Sequence, residues 1–506
     1  MKLKVKPGPP PLPDNPAAPP GDAVLITGSK TVLFNGSNAC RLGDIAMSCS
    51  DPVRLPSSVL LAIPKGMPVL IGGPPALDWS AAASAFFLRN KWTAGLLHQL
   101  IDRLKPGRLR NLLHWAACEL TGHPVDVASG RMMTFPVDFE LPGPIPLEFR
   151  RVYASSWADR ATEIGFGWSH TLDESVRLER GKVVYQTGDG RELEFDTFGY
   201  PGRRMAAGQE NWDPTARLTL TCHGEGAWSV TGPDGLTRDF DVLPGNRYVS
   251  RLKEIRNHAG DRISLEYDAQ GRLEWVTDSA GRRIRFVHDA RGRLHRVALP
   301  GPTWDGWFDA ATYSYSDAGD LVDVRDALGA STTYEYVNHL MVRETDRDGL
   351  SFYFIYDGDA ATASCVRTWG DGGIFDHELV YDKKNGRTFV TDSLGHTTTY
   401  VMNAAGAVVE IFDPHGASSK TEYNDVLWKT ADVDALGGAF RYEHDARGNV
   451  TKTTLPNGVT TELRFGSRDL PIWGLDAAGA TWEWLYDDAL RLVERRSSAG
   501  ERMRVA

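Results

Sequence analysis

Apolar and polar residues alternate with a period of two along much of the second half of this 506-residue chain. Ile263, Leu265 and Tyr267 share one side of such a run, and Ile284 and Phe286 one side of another. Alternation puts every second side chain on the same face, so each run predicts a β-strand with one buried side. Between the runs stands a recurring phrase, Asp-x-x-Gly, which occurs ten times between Asp268 and Gly479. Asp268 with Gly271, Asp278 with Gly281 and Asp289 with Gly292 form one series. Asp392 with Gly395, Asp413 with Gly416, Asp434 with Gly437 and Asp445 with Gly448 form another. From Asp392 the turns begin at 392, 403, 413, 424, 434 and 445, alternating steps of 11 and 10 in a 21-residue repeat.

The phrase has a geometric reading. Asp at the first turn position accepts local backbone N–H bonds, and Gly at the fourth adopts the positive φ that a Cβ resists. A step of 10 or 11 residues holds one strand of roughly 5–6 residues and its turn. Two steps make a hairpin. Stacked hairpins predict a long antiparallel sheet whose units bury their apolar faces only against neighbours. These turn residues are therefore expected to be structural.

The chain ahead of the repeats is more varied. Residues 1–20 carry Pro7, Pro9 to Pro11, Pro13, Pro16, Pro19 and Pro20, an extended arm. Residues 21–77 predict a small β domain. Residues 78–121 change character: Leu88, Trp92, Leu96, Leu100 and Leu104 recur at helical spacing, and Pro106-Gly107 separates them from a second apolar run. A helical adaptor joining two β parts is the expectation. Lys91, Arg103, Lys105, Arg108 and Arg110 around the apolar stripe leave membrane contact as the sharper alternative. Residues 122–211 lead into the repeats, which occupy 212–506. The hairpin from Val183 to Leu193, turning at Asp189-Gly190, is expected to begin the sheet.

Composition narrows the function classes. Fifty-one Gly and twenty-nine Pro suit a turn-rich β protein, and a net charge of −10 argues against a general nucleic-acid binder. Cys40, Cys49, Cys118, Cys222 and Cys365 are scattered and odd in number, which predicts no disulfide framework and folding in a reducing cytosol. Met1 to Lys6 is basic, but proline-rich sequence follows rather than an apolar core, so no signal peptide is predicted. There is no run of 18 apolar residues to span a membrane.

Three groups of residues resemble known families. Ala39-Cys40-Arg41-Leu42-Gly43-Asp44 and the later Val69-Leu70-Ile71-Gly72-Gly73 resemble a PAAR-type domain, the pointed β cone on the tip of the type VI secretion spike, a VgrG trimer. That family usually fixes its tip with zinc on histidines and a cysteine. Here the first histidine is His98, and Cys40 and Cys49, even with Asp44, do not complete a tetrahedral site, so no cofactor is expected. Gly122 to Gly130, Asp138-Phe139-Glu140-Leu141-Pro142-Gly143, Pro146 to Tyr153 and Gly165-Phe166-Gly167-Trp168-Ser169-His170 resemble the N-terminal region of Rhs proteins, large polymorphic toxins. The Asp-x-x-Gly series is similar to the YD repeats of that family, of teneurins and of TcC subunits. The resemblance implies a mainly β protein: a PAAR-like cone, a short helical adaptor, then a spiralling antiparallel YD-repeat sheet forming part of a hollow Rhs shell around a C-terminal toxin. It also implies docking on a VgrG trimer, with room for an adaptor chaperone on residues 78–121. Export would run from the bacterial cytoplasm through the type VI system into a target cell, with membrane contact only during delivery.

Nothing in the repeats demands catalysis. Ser169 and His170 are adjacent, with Asp173 and Glu174 after them, but triad members meet in space rather than in sequence. There is no Gly-x-Ser-x-Gly elbow and no phosphate-binding glycine loop. A calcium loop needs several acidic oxygens in one short loop, whereas most turns here carry one Asp. Two rival readings are an extracellular YD-repeat adhesion or carbohydrate-binding module, which predicts a secretion signal, and a hydrolase with carboxylates among the repeats. The chain stops within a repeat, after Arg491 to Gly500, so the closing segment and toxin of the family are expected beyond it, in a fragment, split or truncated member with an open sheet edge.

Overall fold

The structure is a computed structural model. It describes residues 125–243, 248–301 and 306–504, and before residue 125 only short strands such as Thr27–Ser29 paired with Pro75–Leu77. The chain divides into two compact units, Met1–Lys105 with Leu109–Thr121, and Pro106–Arg108 with Gly122–Ala506. The proline arm, PAAR-like cone, helical adaptor and tip zinc lie outside the described residues.

In the second unit one antiparallel sheet takes in 31 strands among the described residues, following one another in sequence order from Ser175–Glu179 to Arg502–Arg504. The described residues hold no α-helix, only 3-10 turns of three residues. The sheet begins one strand before the hairpin expected from Val183 to Leu193. That hairpin pairs Lys182–Gln186 with Glu192–Asp196 across five residues, not the two of a tight Asp-Gly turn. Ser175–Glu179 pairs on both its edges, with Lys182–Gln186 and with Val249–Arg256, so the first eight strands form a ring. Val176, Tyr185, Phe195, Leu220, Val230, Phe240 and Leu252 in these strands are at most 3% exposed. Burying each such side chain contributes roughly 1.5–3 kcal/mol, which pins the ring.

From Arg262 onward the hairpins take two forms, which alternate strictly from Thr397 to the last strand. At Asp278 the strands Leu273–Thr277 and Arg283–His288 pair in even register, Thr277 opposite Arg283. At Asp268 the register shifts between Glu266 and Tyr267, an extra residue in the following strand. The same shift recurs at His288, Tyr315, Tyr336 and Tyr356, and then at Met402, Tyr423, His444, Phe465 and Tyr486, 21 residues apart over that last series. Such bulges raise the local twist and are built-in features of a curved sheet.

The aromatic residue before the turn ties neighbouring hairpins together. Tyr267 donates its O–H to the Leu252 carbonyl at 2.7 Å, Tyr315 to Leu294 at 2.6 Å and Tyr356 to Met341 at 2.8 Å. Tyr381 does so to Cys365 at 2.6 Å and Tyr486 to Pro471 at 2.8 Å. Each acceptor sits beside the preceding hairpin's bulge. A carbonyl that the irregular ladder serves poorly thus gains a partner from the next repeat.

Candidate functional site

Buried polar chemistry concentrates where the segment from Val125 to Glu174 lies across one face of the repeats. Strand Leu147–Ala154 sends Leu147, Phe149, Arg151 and Tyr153 to its buried side, all at most 2% exposed. Phe149 meets Phe286 edge-on with ring centroids 5.4 Å apart. Arg151, next in the same row, grips Asp138 through Nε at 2.9 Å and Nη2 at 3.0 Å, and donates from Nη1 to the Tyr334 hydroxyl at 3.1 Å. Tyr313 donates to the same carboxylate at 2.7 Å. The guanidinium lies 5.0 Å from the centre of the Trp168 ring. Burial works against the Arg151 charge, but the Asp138 carboxylate outweighs it and holds the guanidinium well above its ordinary range.

A second node centres on Glu163. His170 Nε2 lies 2.7 Å from Oε1, and His288 Nε2, on a repeat strand, 3.1 Å from Oε2. Burial pushes the Glu163 carboxyl up, but these two bonds prevail and hold it well below the usual range. The Glu163 carbonyl also accepts the Leu294 amide at 2.7 Å. Elsewhere along the segment, Arg282 donates to the Pro142 carbonyl, Ser279 Oγ to the Ile145 carbonyl at 2.7 Å, and Thr388 Oγ1 to the Val127 carbonyl at 2.7 Å. The segment thus braces strands from about residue 273 to 392.

The arrangement is adhesive rather than reactive. Ser169 and His170 are successive strand residues and point to opposite faces. Ser169 Oγ turns to Asp173 at 3.4 Å, and His170 turns to Glu163. The Leu172 amide donates to His170 Nδ1 at 3.2 Å, so the ring proton sits on Nε2, the reverse of what a metal on Nε2 requires. Among the described residues no three His, Cys, Asp or Glu side chains are placed to hold a metal ion. Burial pushes the Cys365 thiol up to about 12, far from the thiolate a nucleophile needs.

The Asp-x-x-Gly residues stand at hairpin turns, not together in one cluster. Asp268 Oδ1 accepts the Gln270 and Arg272 amides, each at 2.9 Å, while Gly271 takes φ +78°. Asp278, Asp289, Asp392, Asp413, Asp434 and Asp445 likewise accept the amides two and four residues on. Gly281, Gly292, Gly395, Gly416, Gly437 and Gly448 all have φ between +78° and +85°. Asp138, Arg151 and Glu163 were not singled out from the sequence. One signal was available, since Arg151 occupies a core position in an alternating row, where a charge demands a buried partner.

Comparisons with known proteins place the chain. Residues 122–195 match a domain of unknown function, DUF6531, and residues 315–351 and 430–460 match the RHS Repeat. The chain is 26% identical over 294 residues to double-stranded DNA deaminase toxin A of Burkholderia cenocepacia, covering 56% of this chain and 20% of that protein. It is 26% identical over 335 residues to toxin protein Tse5 of Pseudomonas aeruginosa, covering 58% and 24%. With the probable deoxyribonuclease RhsA of Dickeya dadantii it shares 26% over 404 residues, covering 75% and 26%. The chain carries RHS repeats and is similar to these Rhs-type toxins, of whose length it spans a fifth to about a quarter. Among solved structures, TcdB2-TccC3 without its hypervariable C-terminal region aligns at TM-score 0.38 and 12% identity, over 74% of this chain and 22% of that one. At that score it adds nothing to the strand order described above.

Proposed function

We propose that this chain is the N-terminal, structural part of an Rhs-type effector of the type VI secretion system. Residues 21–77 dock as a PAAR-like tip on the VgrG spike trimer. Residues 78–121 link the tip to the repeats and take an adaptor chaperone. The repeats form part of a wall that sequesters a C-terminal toxin, and the activities in the relatives' names belong to sequence outside the matched residues. The protein is made in the bacterial cytoplasm and leaves it through the secretion machine.

The observation that carries this reading is an apolar sheet face covered over only part of its length. Val125 to Glu174 seals it as far as Thr388, while Tyr400, Ile411, Phe440, Leu463 and Trp482 beyond are half-buried. Large apolar side chains recurring on one sheet face mark a surface that packs against something. The test is co-purification of the full chain with a VgrG trimer, with and without residues 21–77. Binding should vanish with the deletion, and binding that survives it would sink the tip assignment.

A further inference from the structure

We propose that the sheet is clasped to itself by the loop around Arg217, and that this clasp, not the strand ladder, is the line along which the sheet opens. Residues 214–217 join strands Glu210–Asp213 and Leu218–Gly224. Arg217 Nε donates to the Arg447 carbonyl at 2.7 Å, and Nη2 to Asn449 Oδ1 at 2.5 Å. Trp428 Nε1 donates to the Pro214 carbonyl at 2.8 Å, and the Arg447 guanidinium lies 5.0 Å from the centre of the Trp212 ring. Farther along, Arg468 meets His258. The hydrogen-bonded partners are 210 to 232 residues apart in sequence, so the sheet comes back to its own beginning after about ten repeats.

The joint is built for this contact. Arg217 and Asn449 are each 6% exposed. Arg217 has φ +57°, a left-handed conformation that side chains other than glycine adopt at a cost. A buried guanidinium needs a counter-charge nearby. Asp469 supplies one, accepting Arg447 Nε at 2.9 Å and Asn449 Nδ2 at 2.8 Å. Gly448 turns at φ +79°, and a Cβ there would lie 2.8 Å from the Trp428 ring and 3.0 Å from Arg217 Nε. Neighbouring strands share a backbone ladder. Among the described residues, no strand between residues 210 and 267 pairs with one between 418 and 475, so each hydrogen bond of the clasp is donated by a side chain. Separating these two stretches breaks a few bonds, whereas separating neighbours breaks a whole ladder. Local opening follows the weaker line. This inference concerns the sheet itself and stands whether or not the chain docks on a spike.

Hydrogen exchange on the full chain tests it. In Arg217→Met the amides of 210–219 and 424–449 should exchange about tenfold faster or more, while those of 283–345 change less than about twofold. Trp428→Phe removes one N–H and keeps a ring, and should speed the same amides by a smaller factor. It also decides the matter if Arg217→Met does not fold. Unchanged exchange at 210–219 and 424–449, or a rise spread evenly over the sheet, would overturn the proposal.

Discussion

Strands Arg283–His288 and Ser418–Tyr423 follow the same plan: a six-residue strand, an Asp-initiated turn before it and a bulged hairpin after it. Their surroundings differ. Ile284 and Phe286 are at most 2% exposed, while every residue of the later strand is half-buried or exposed. The distinction holds along the sheet. Val276, Val297, Ala311, Tyr313, Val324, Tyr334, Phe354, Leu379 and Val390 are all at most 3% exposed, and beyond Val390 a buried strand residue is the exception. Repeats therefore make a sheet, but a second layer makes a core, and here the Val125–Glu174 segment is that layer.

The largest expected effect comes from cutting that layer loose. Asp138→Ala leaves Arg151 buried and unpaired and should cost about 3–5 kcal/mol in urea unfolding followed by Trp fluorescence. Adding Arg151→Met should recover much of the loss. A cost for Asp138→Ala below about 1 kcal/mol would mean that the segment does not brace the sheet. Phe286→Ala should then cost about 3–5 kcal/mol and Ile411→Ala about 1 kcal/mol by the same assay. Equal costs would erase the contrast between the two stretches.

Turn glycines sharpen the comparison by predicting no regional difference. A Cβ at Gly281 or Gly416 meets nothing within 4 Å, and both have φ above +80°. Either Gly→Ala change should cost about 1–2 kcal/mol, by conformation alone. A gap between them of more than about 1 kcal/mol in chemical unfolding would show that coverage reaches into the turns.

Acid gives the smallest effect per residue. Burial pushes the Asp268, Asp289 and Asp392 carboxyls up, but the turn amides they accept outweigh it and hold them low. Asp476 is held low first by the Trp482 indole, and Asp487 by the Arg491 amide. Carboxyls depressed on folding contribute stability that is complete above the unfolded value, about 3.9, and is lost as pH falls through the folded one. The contribution of these carboxylates should therefore be flat from neutral pH to about 4 and fall below it. In an acid series followed by hydrogen exchange, residues 397–504 should loosen before 249–392. The opposite order would break the link between coverage and stability.

Much of the repeat architecture was legible because its signals are local. Alternation, the Asp, the Gly and the aromatic residue before the turn act within a few residues of one another, so the 21-residue period can be counted on the page. The two hairpin forms were half-visible, as alternating steps of 11 and 10, though nothing in the step marks the bulge. The brace was legible only as a family resemblance. Asp138 meets Tyr313 across 175 residues and Val127 meets Thr388 across 261, and separations of that size leave no periodic trace. The sheet's first strand was missed for a related reason. Ser175–Glu179 owes its place to pairing with Val249–Arg256, far along the chain.

By itself, then, the sequence determined the strand, the turn and the period, because each depends on backbone preferences and hydrogen bonds inside one repeat. Tertiary structure alone decided which stretch of the apolar face is sealed, where Arg151 finds its carboxylate, and that Arg217 closes on Arg447 and Asn449 some ten repeats later. Identical repeats carry no address for such partners. Curvature accumulated over many bulged hairpins brings them together, and burial then makes the meeting specific.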